Sequence, residues 1–60
     1  MNYKVKFLSD GVDIDGRMYR MNNYYTLSEC LYEIYDDFQD MDVKLFVVIE
    51  QHFKEIIKDE

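Results

Sequence analysis

The chain holds one imidazole, His52, and one thiol, Cys30. Nucleophilic catalysis and structural zinc sites both draw on clusters of such groups, and neither cluster exists here. His52 has no cysteine near it in sequence and projects to the edge of an apolar helical face, the position of a half-buried structural histidine. Cys30 falls between Leu27 and Ile34 on a projected buried arc, where a thiol behaves as a small hydrophobe and acidic neighbours disfavour the thiolate. Asp13-Ile14-Asp15-Gly16 has the alternating acids and following glycine of a calcium loop. Gly11 stands where the first acid belongs and Asn22 where the bidentate glutamate belongs, so the spacing excludes an EF-hand. Asp36, Asp37, Gln39, Asp40 and Asp42 could draw a divalent cation weakly, but a closed site needs ligands from more than one element. Phosphate loops, nucleophile elbows and histidine motifs are absent from the sequence. The expectation is a binding protein with no catalytic residue, no metal ligand and no cofactor.

Hydrophobic periodicity locates the elements that would carry a binding surface. Tyr3, Val5 and Phe7 alternate with Asn2, Lys4 and Lys6, the period of a strand with one buried face. Asp10-Gly11 and Asp15-Gly16 are both tight-turn signals. Turning at the first places Phe7 opposite Ile14 and Lys6 opposite Asp15. Turning at the second pairs Val12–Ile14 with Arg17–Met21. Thr26-Leu27-Ser28-Glu29 fits a capping box and opens an amphipathic helix from about Leu27 to Gln39. At 100° per residue Leu27, Cys30, Leu31, Ile34, Tyr35 and Phe38 share an arc of about 140°, and Glu29, Glu33, Asp36, Asp37 and Asp40 share one of about 100° on the other side. Phe46, Ile49, Phe53, Ile56 and Ile57 keep helical spacing, which predicts a second helix over about 43–58. The β-branched run Val43-Lys44-Leu45-Phe46-Val47-Val48-Ile49 competes with it as a strand. The expected fold is α+β: one domain over 1–60, with an antiparallel hairpin or short meander followed by two helices (ββαα). The alternative is ββαβ with a short terminal helix.

Sixty residues leave a marginal core, burying roughly 60% of the surface of the unfolded chain. The usual reinforcements of so small a domain are a disulfide, a metal or a second copy. One cysteine and one histidine remove the first two by elimination, so a homodimer is expected, with Val47 and Val48 in its seam because a single amphipathic face cannot bury both. At 48% hydrophobic and 17% aromatic the chain is too apolar to be disordered, and no apolar run reaches the ~18 residues of a membrane span. The lone thiol and the absence of an apolar leader suggest a cytoplasmic setting without membrane contact.

The net charge of −6 is concentrated. Residues 1–25 carry four basic and three acidic side chains, residues 43–60 three and four, and residues 26–42 six acids (Glu29, Glu33, Asp36, Asp37, Asp40 and Asp42) with no base. Glu29/Glu33, Glu33/Asp37 and Asp36/Asp40 are like charges one turn apart, each costing a helix about 0.2–0.5 kcal/mol. A stripe retained at that cost suits a partner with a basic surface. Acids recurring every turn lie about 5–6 Å apart, close to the roughly 6–7 Å between phosphates along a nucleic-acid strand. The same field repels nucleic acid itself, so direct DNA or RNA binding is not expected. Tyr24, Tyr25 and Tyr32 flank the stripe and would add contact area. In size, charge and missing chemistry the chain resembles the short acidic accessory proteins that phages make against host machinery. That resemblance, which no motif carries, implies an inhibitor or regulator of a nucleic-acid-handling protein, acting as a nucleic-acid mimic.

Overall fold

A computed structural model describes residues 2–58. Val5–Leu8 (β1), Gly11–Ile14 (β2) and Arg17–Arg20 (β3) form an antiparallel sheet in the order β1-β2-β3. A single 3-10 turn over Met21–Asn23 leads to the helices Leu27–Asp37 (α1) and Val43–Lys58 (α2). The chain is thus a small α+β domain of ββαα form, its sheet a three-strand meander. The competing strand over 43–50 does not form.

The two turns differ in what their glycines do. Between β2 and β3, Asp15 and Gly16 both have positive φ, +51° and +88°, the requirement of a type I′ turn. Asp13 Oδ1 accepts the Gly16 N–H at 2.7 Å, and Asp15 Oδ1 accepts the Lys4 N–H at 2.7 Å. The acids that mimic a calcium loop in sequence therefore hold the hairpin. Between β1 and β2 the turn residues are Ser9 and Asp10, not Asp10 and Gly11. Phe7 pairs with Val12 and Lys6 with Asp13, two residues away from the register that a turn at Asp10-Gly11 would give. A shift of two keeps every side chain on its face, so the buried pattern survives. Gly11 lies inside β2, where a Cβ would meet the Tyr19 carbonyl oxygen at 2.0 Å.

One face of the sheet carries Val12, Ile14 and Tyr19, which join Cys30, Ile34 and Phe38 from the α1 side and Ile49 and Phe53 from α2 in the core. Helix α2 lies against both β2 and α1. Its start is set by Asp42, whose Oδ1 accepts the Lys44 N–H at 2.8 Å while its carbonyl accepts the Phe46 N–H at 3.0 Å. His52 fastens α2 to the first turn: its Nε2–H is shared between the carbonyls of Leu8 (2.8 Å) and Gly11 (2.9 Å), and Phe7 packs on its ring at 4.8 Å. Because β1 is an edge strand, Phe7 is 45% exposed despite its place on the apolar face. Tyr35, at the margin of the α1 apolar arc, is likewise exposed. Helix α1 ends at Asp37, two residues before the expected Gln39, with Phe38 leaving helical geometry at φ −131°, ψ 60°.

These two glycines give an ordered pair of outcomes. Gly11→Ala should lower stability by about 3 kcal/mol or more, since its methyl group meets fixed backbone. Gly16→Ala, which faces open space, should cost about 1–2 kcal/mol for its left-handed backbone alone. Urea midpoints of the two variants check the ranking, and equal midpoints would contradict the close approach at Gly11.

Candidate functional site

Helix α1 opens with Thr26 Oγ1 accepting the Glu29 N–H at 3.1 Å, one of the two reciprocal bonds of a capping box. From there the acids divide into two sets. Glu33 accepts the hydroxyl of Tyr24, Asp37 accepts that of Tyr19 at 2.6 Å, and Asp40 accepts that of Tyr3. These three carboxylates are the points at which α1 and the turn after it are tied to the segment before β1, to β3 and to the loop before α1. Glu29 and Asp36 are exposed and take no tertiary bond among the described residues; Asp36 accepts only a long 3.4 Å contact from Gln39 Nε2. Asp42 is the cap of α2 and projects from the far end of the same row.

The phenols orient these carboxylates without neutralising them. Among the described residues one cation comes within 4 Å of the row, Arg17 Nη1 at 3.7 Å from Asp37 Oδ2. The other ion pairs lie elsewhere: Arg20 on Asp10 at 2.7 Å and Lys54 on Glu50 at 3.6 Å. The phenols register the uncompensated charge. The hydrogen bond to Asp40 pushes Tyr3 up to about 12. Burial, then the bond to Asp37, raises Tyr19, and burial, then the bond to Glu33, raises Tyr24. Burial also pushes the Cys30 thiol up to about 11, with the Glu33 charge adding to it. Cys30 is fully buried and free, so it offers no nucleophile.

The tyrosines split in the same way as the acids. Tyr25, in the loop before α1, is 97% exposed, and Tyr32, beside the acidic row on α1, is 72% exposed. Tyr24 is half-buried, its ring covering the start of α1 and its hydroxyl spent on Glu33. On α2, Val47 and Val48 are about half exposed and Val43 more so. Where α1 gives way to α2, an apolar cleft of about 230 Å³ is lined by Tyr35, Phe38, Met41, Val43 and Phe46. Sequence reasoning missed this cleft, the cap at Asp42 and the phenol bonds. Asp42 had a signal, an aspartate directly before the first residue of a helical pattern. The phenol bonds had none, because their partners are distant in sequence.

Among the described residues, no three side chains of His, Cys, Asp or Glu converge as a metal-ligand set, and no helix is long and apolar enough to cross a membrane. No known family model matches the chain, and neither the curated proteins nor the solved structures compared with it gave a match.

The raised phenols set a pH window. Their bonds stabilise the fold fully below about pH 10, the value for an unperturbed tyrosine. That contribution is lost as the pH climbs through the higher folded values. A Tyr19→Phe/Tyr24→Phe variant should be less stable than the parent at neutral pH, by about 1–3 kcal/mol for each bond to a charged acceptor. The gap in melting temperature should narrow steadily above pH 10. A gap that stays constant to pH 12 would show that the phenols are not bonded as described.

Proposed function

We propose that this chain is a small acidic protein-binding module that inhibits or regulates a larger partner by covering its basic surface with α1. The observation that carries this reading is the state of the acidic row: Glu33, Asp37 and Asp40 are oriented by neutral hydroxyls, and of the whole row only Asp37 has a cation within 4 Å among the described residues. A carboxylate held in place before binding loses less rotamer freedom when it binds, and that saving appears as affinity. Charge left unneutralised extends into solvent and steers a basic partner toward the helix. Glu29, Glu33, Asp36, Asp37 and Asp40 provide the field, and Tyr25 and Tyr32 provide the apolar area that a charged row lacks, with the ring edge of Tyr24 between them. The partner class that fits is a protein whose basic surface otherwise receives nucleic-acid phosphates, which makes the row a nucleic-acid mimic. No enzymatic step is part of this reading.

A second reading concerns α2 and does not compete for the same face. At 100° per residue Lys44, Val47, Val48, Gln51 and Glu55 share an arc of about 100°, the side opposite the buried Ile49 and Phe53. Two copies of α2 laid antiparallel about a two-fold axis would press Val47 and Val48 into the seam. The same pairing sets Lys44 of each copy against Glu55 of the other. The exposure of Val47 and Val48 favours such a homodimer.

Glu29 and Asp36 test the first reading cleanly, because no tertiary bond among the described residues rests on them. Glu29→Gln/Asp36→Asn should leave the melting temperature nearly unchanged, since the relief of like-charge neighbours offsets the loss of the Glu29 charge in the first turn. Partners captured from a lysate on the immobilised variant should elute at lower salt than from the parent. The same partner leaving both columns at the same salt would defeat the acidic-face reading.

For the second reading, sedimentation equilibrium at micromolar concentration should give twice the 7.4 kDa chain mass. Lys44→Glu should shift the equilibrium toward monomer, and adding Glu55→Lys should restore the dimer. A 7.4 kDa species at every concentration would remove the seam.

A further inference from the structure

The apolar cleft stands at the end of the acidic row, and the two features together select an occupant. Buried Phe38 forms its floor, half-buried Met41 and Phe46 its walls, and the exposed Tyr35 and Val43 its mouth. Tyr35 and Phe46 meet edge to face at 6.3 Å, so the wall between the helices is a fixed aromatic corner. At about 230 Å³ it lies below the roughly 300–1,000 Å³ of small-molecule sites and suits a single side chain. The surrounding charge is mainly acidic, and the one cation at the floor, Arg17, 5.9 Å from the Phe38 ring centroid, is paired with Asp37. The segment 35–44 carries Asp36, Asp37, Asp40 and Asp42 against Lys44, and Lys44 projects from α2 toward the opposite flank to Phe46.

A second copy of this chain placed over the cleft would bring two sets of these aspartates together. An anionic membrane surface would be repelled for the same reason. A basic segment has the opposite preference. Its cations meet the carboxylates while one apolar side chain between them leaves water, the arrangement of a binding hot spot with a polar rim.

We propose that the Tyr35–Phe38–Met41–Val43–Phe46 cleft receives one large apolar side chain, leucine-sized or aromatic, from a basic segment of the partner that the acidic face binds. This rests on the acidic-face reading and adds the anchor to it. The row supplies encounter rate and orientation, and the cleft supplies residence time and discriminates among basic surfaces.

The test uses three short synthetic peptides: Lys/Arg-rich with one central leucine, the same with alanine, and a Glu-rich one with the leucine. Binding to the full chain is read by fluorescence anisotropy and by the methyl resonances of Met41 and Val43. The basic leucine peptide should bind about tenfold or more tighter than the basic alanine peptide, with both methyl groups shifting, and the acidic peptide should not bind. Val43→Gln, at an exposed position that the fold tolerates, should erase the leucine advantage and leave the alanine peptide unaffected. Equal binding of the two basic peptides would overturn the anchor and leave the acidic face standing. Failure of both basic peptides to bind would overturn both. Met41 methyl shifts that follow protein concentration without peptide, and persist in Lys44→Glu, which breaks the α2 seam, would assign the cleft to a second copy and overturn the proposal.

Discussion

Three phenol hydroxyls reaching three carboxylates on and just after one helix hold this domain in its particular arrangement. Tyr3, Tyr19 and Tyr24 come from the segment before β1, from β3 and from the loop before α1. They end on Asp40, Asp37 and Glu33. A core of eight buried side chains fixes that α1 packs on the sheet, but apolar packing is non-directional. The phenol bonds add direction. They set the rotation of α1 about its axis and the point where it stops, because Asp37 and Asp40 bracket Phe38, where the helix ends. Phe38 is itself held by Tyr3 at 5.1 Å and Tyr19 at 6.1 Å, both edge to face, and by the Arg17 guanidinium 5.9 Å above its ring. The same two tyrosines therefore supply the aromatic wall and the polar anchor.

This arrangement offsets a local conflict without dissolving it. Acids one turn apart on α1 repel, and those near its C-terminus face the negative end of the helix dipole. Lysine or arginine partners would relieve both effects and cancel the field. Neutral donors satisfy the carboxylates as acceptors and leave the charge in place. Cations in place of the phenols would stabilise the helix further, and the phenols leave its field intact.

Much of the architecture was legible in the sequence, for reasons that particular residues make clear. Asp15-Gly16 announced its turn because a type I′ geometry demands positive φ at both positions, and few other pairs accept it. The apolar arc of α1 was legible because Cys30, Ile34 and Phe38 recur at the helical period and all three are buried. Gly11 misled about the first turn: it is needed for closeness to the Tyr19 carbonyl, and a glycine required by a neighbouring strand looks identical in sequence to one required by a turn. The run Val43–Ile49 was ambiguous because β-branching and helical spacing disagree over it. Asp42 breaks the tie by capping a helix, and the phase continued by Phe53 and Ile56 then buries one side of it. At the candidate site, periodicity aligned the acids and left Tyr25 and Tyr32 bare. It had no means of dividing the acids into bonded and free, since Tyr3–Asp40, Tyr19–Asp37 and Tyr24–Glu33 are contacts of the folded chain with no local spacing to reveal them.

The placement of the basic residues completes the physical picture. Arg20 is bound to Asp10, and Lys6 lies across the sheet from Asp13. Sheet charges are thus largely compensated by neighbouring strands, over distances shorter than the Debye length of about 8–10 Å. Helix α2 alternates its signs, with Lys54 on Glu50. The excess can therefore emerge from one place only, the outer side of α1 and its exit. Arg17 marks the boundary, the one sheet cation that reaches the row, and it does so at Asp37, the member whose side chain is only 23% exposed. Its charge is spent where the row already faces inward, on Phe38 and a phenol-bonded carboxylate. Glu29 and Asp36 keep their full field on the side of α1 that faces solvent, and the apolar cleft opens where α1 gives way to α2, lined by Tyr35 and Phe38 from the other side of the helix.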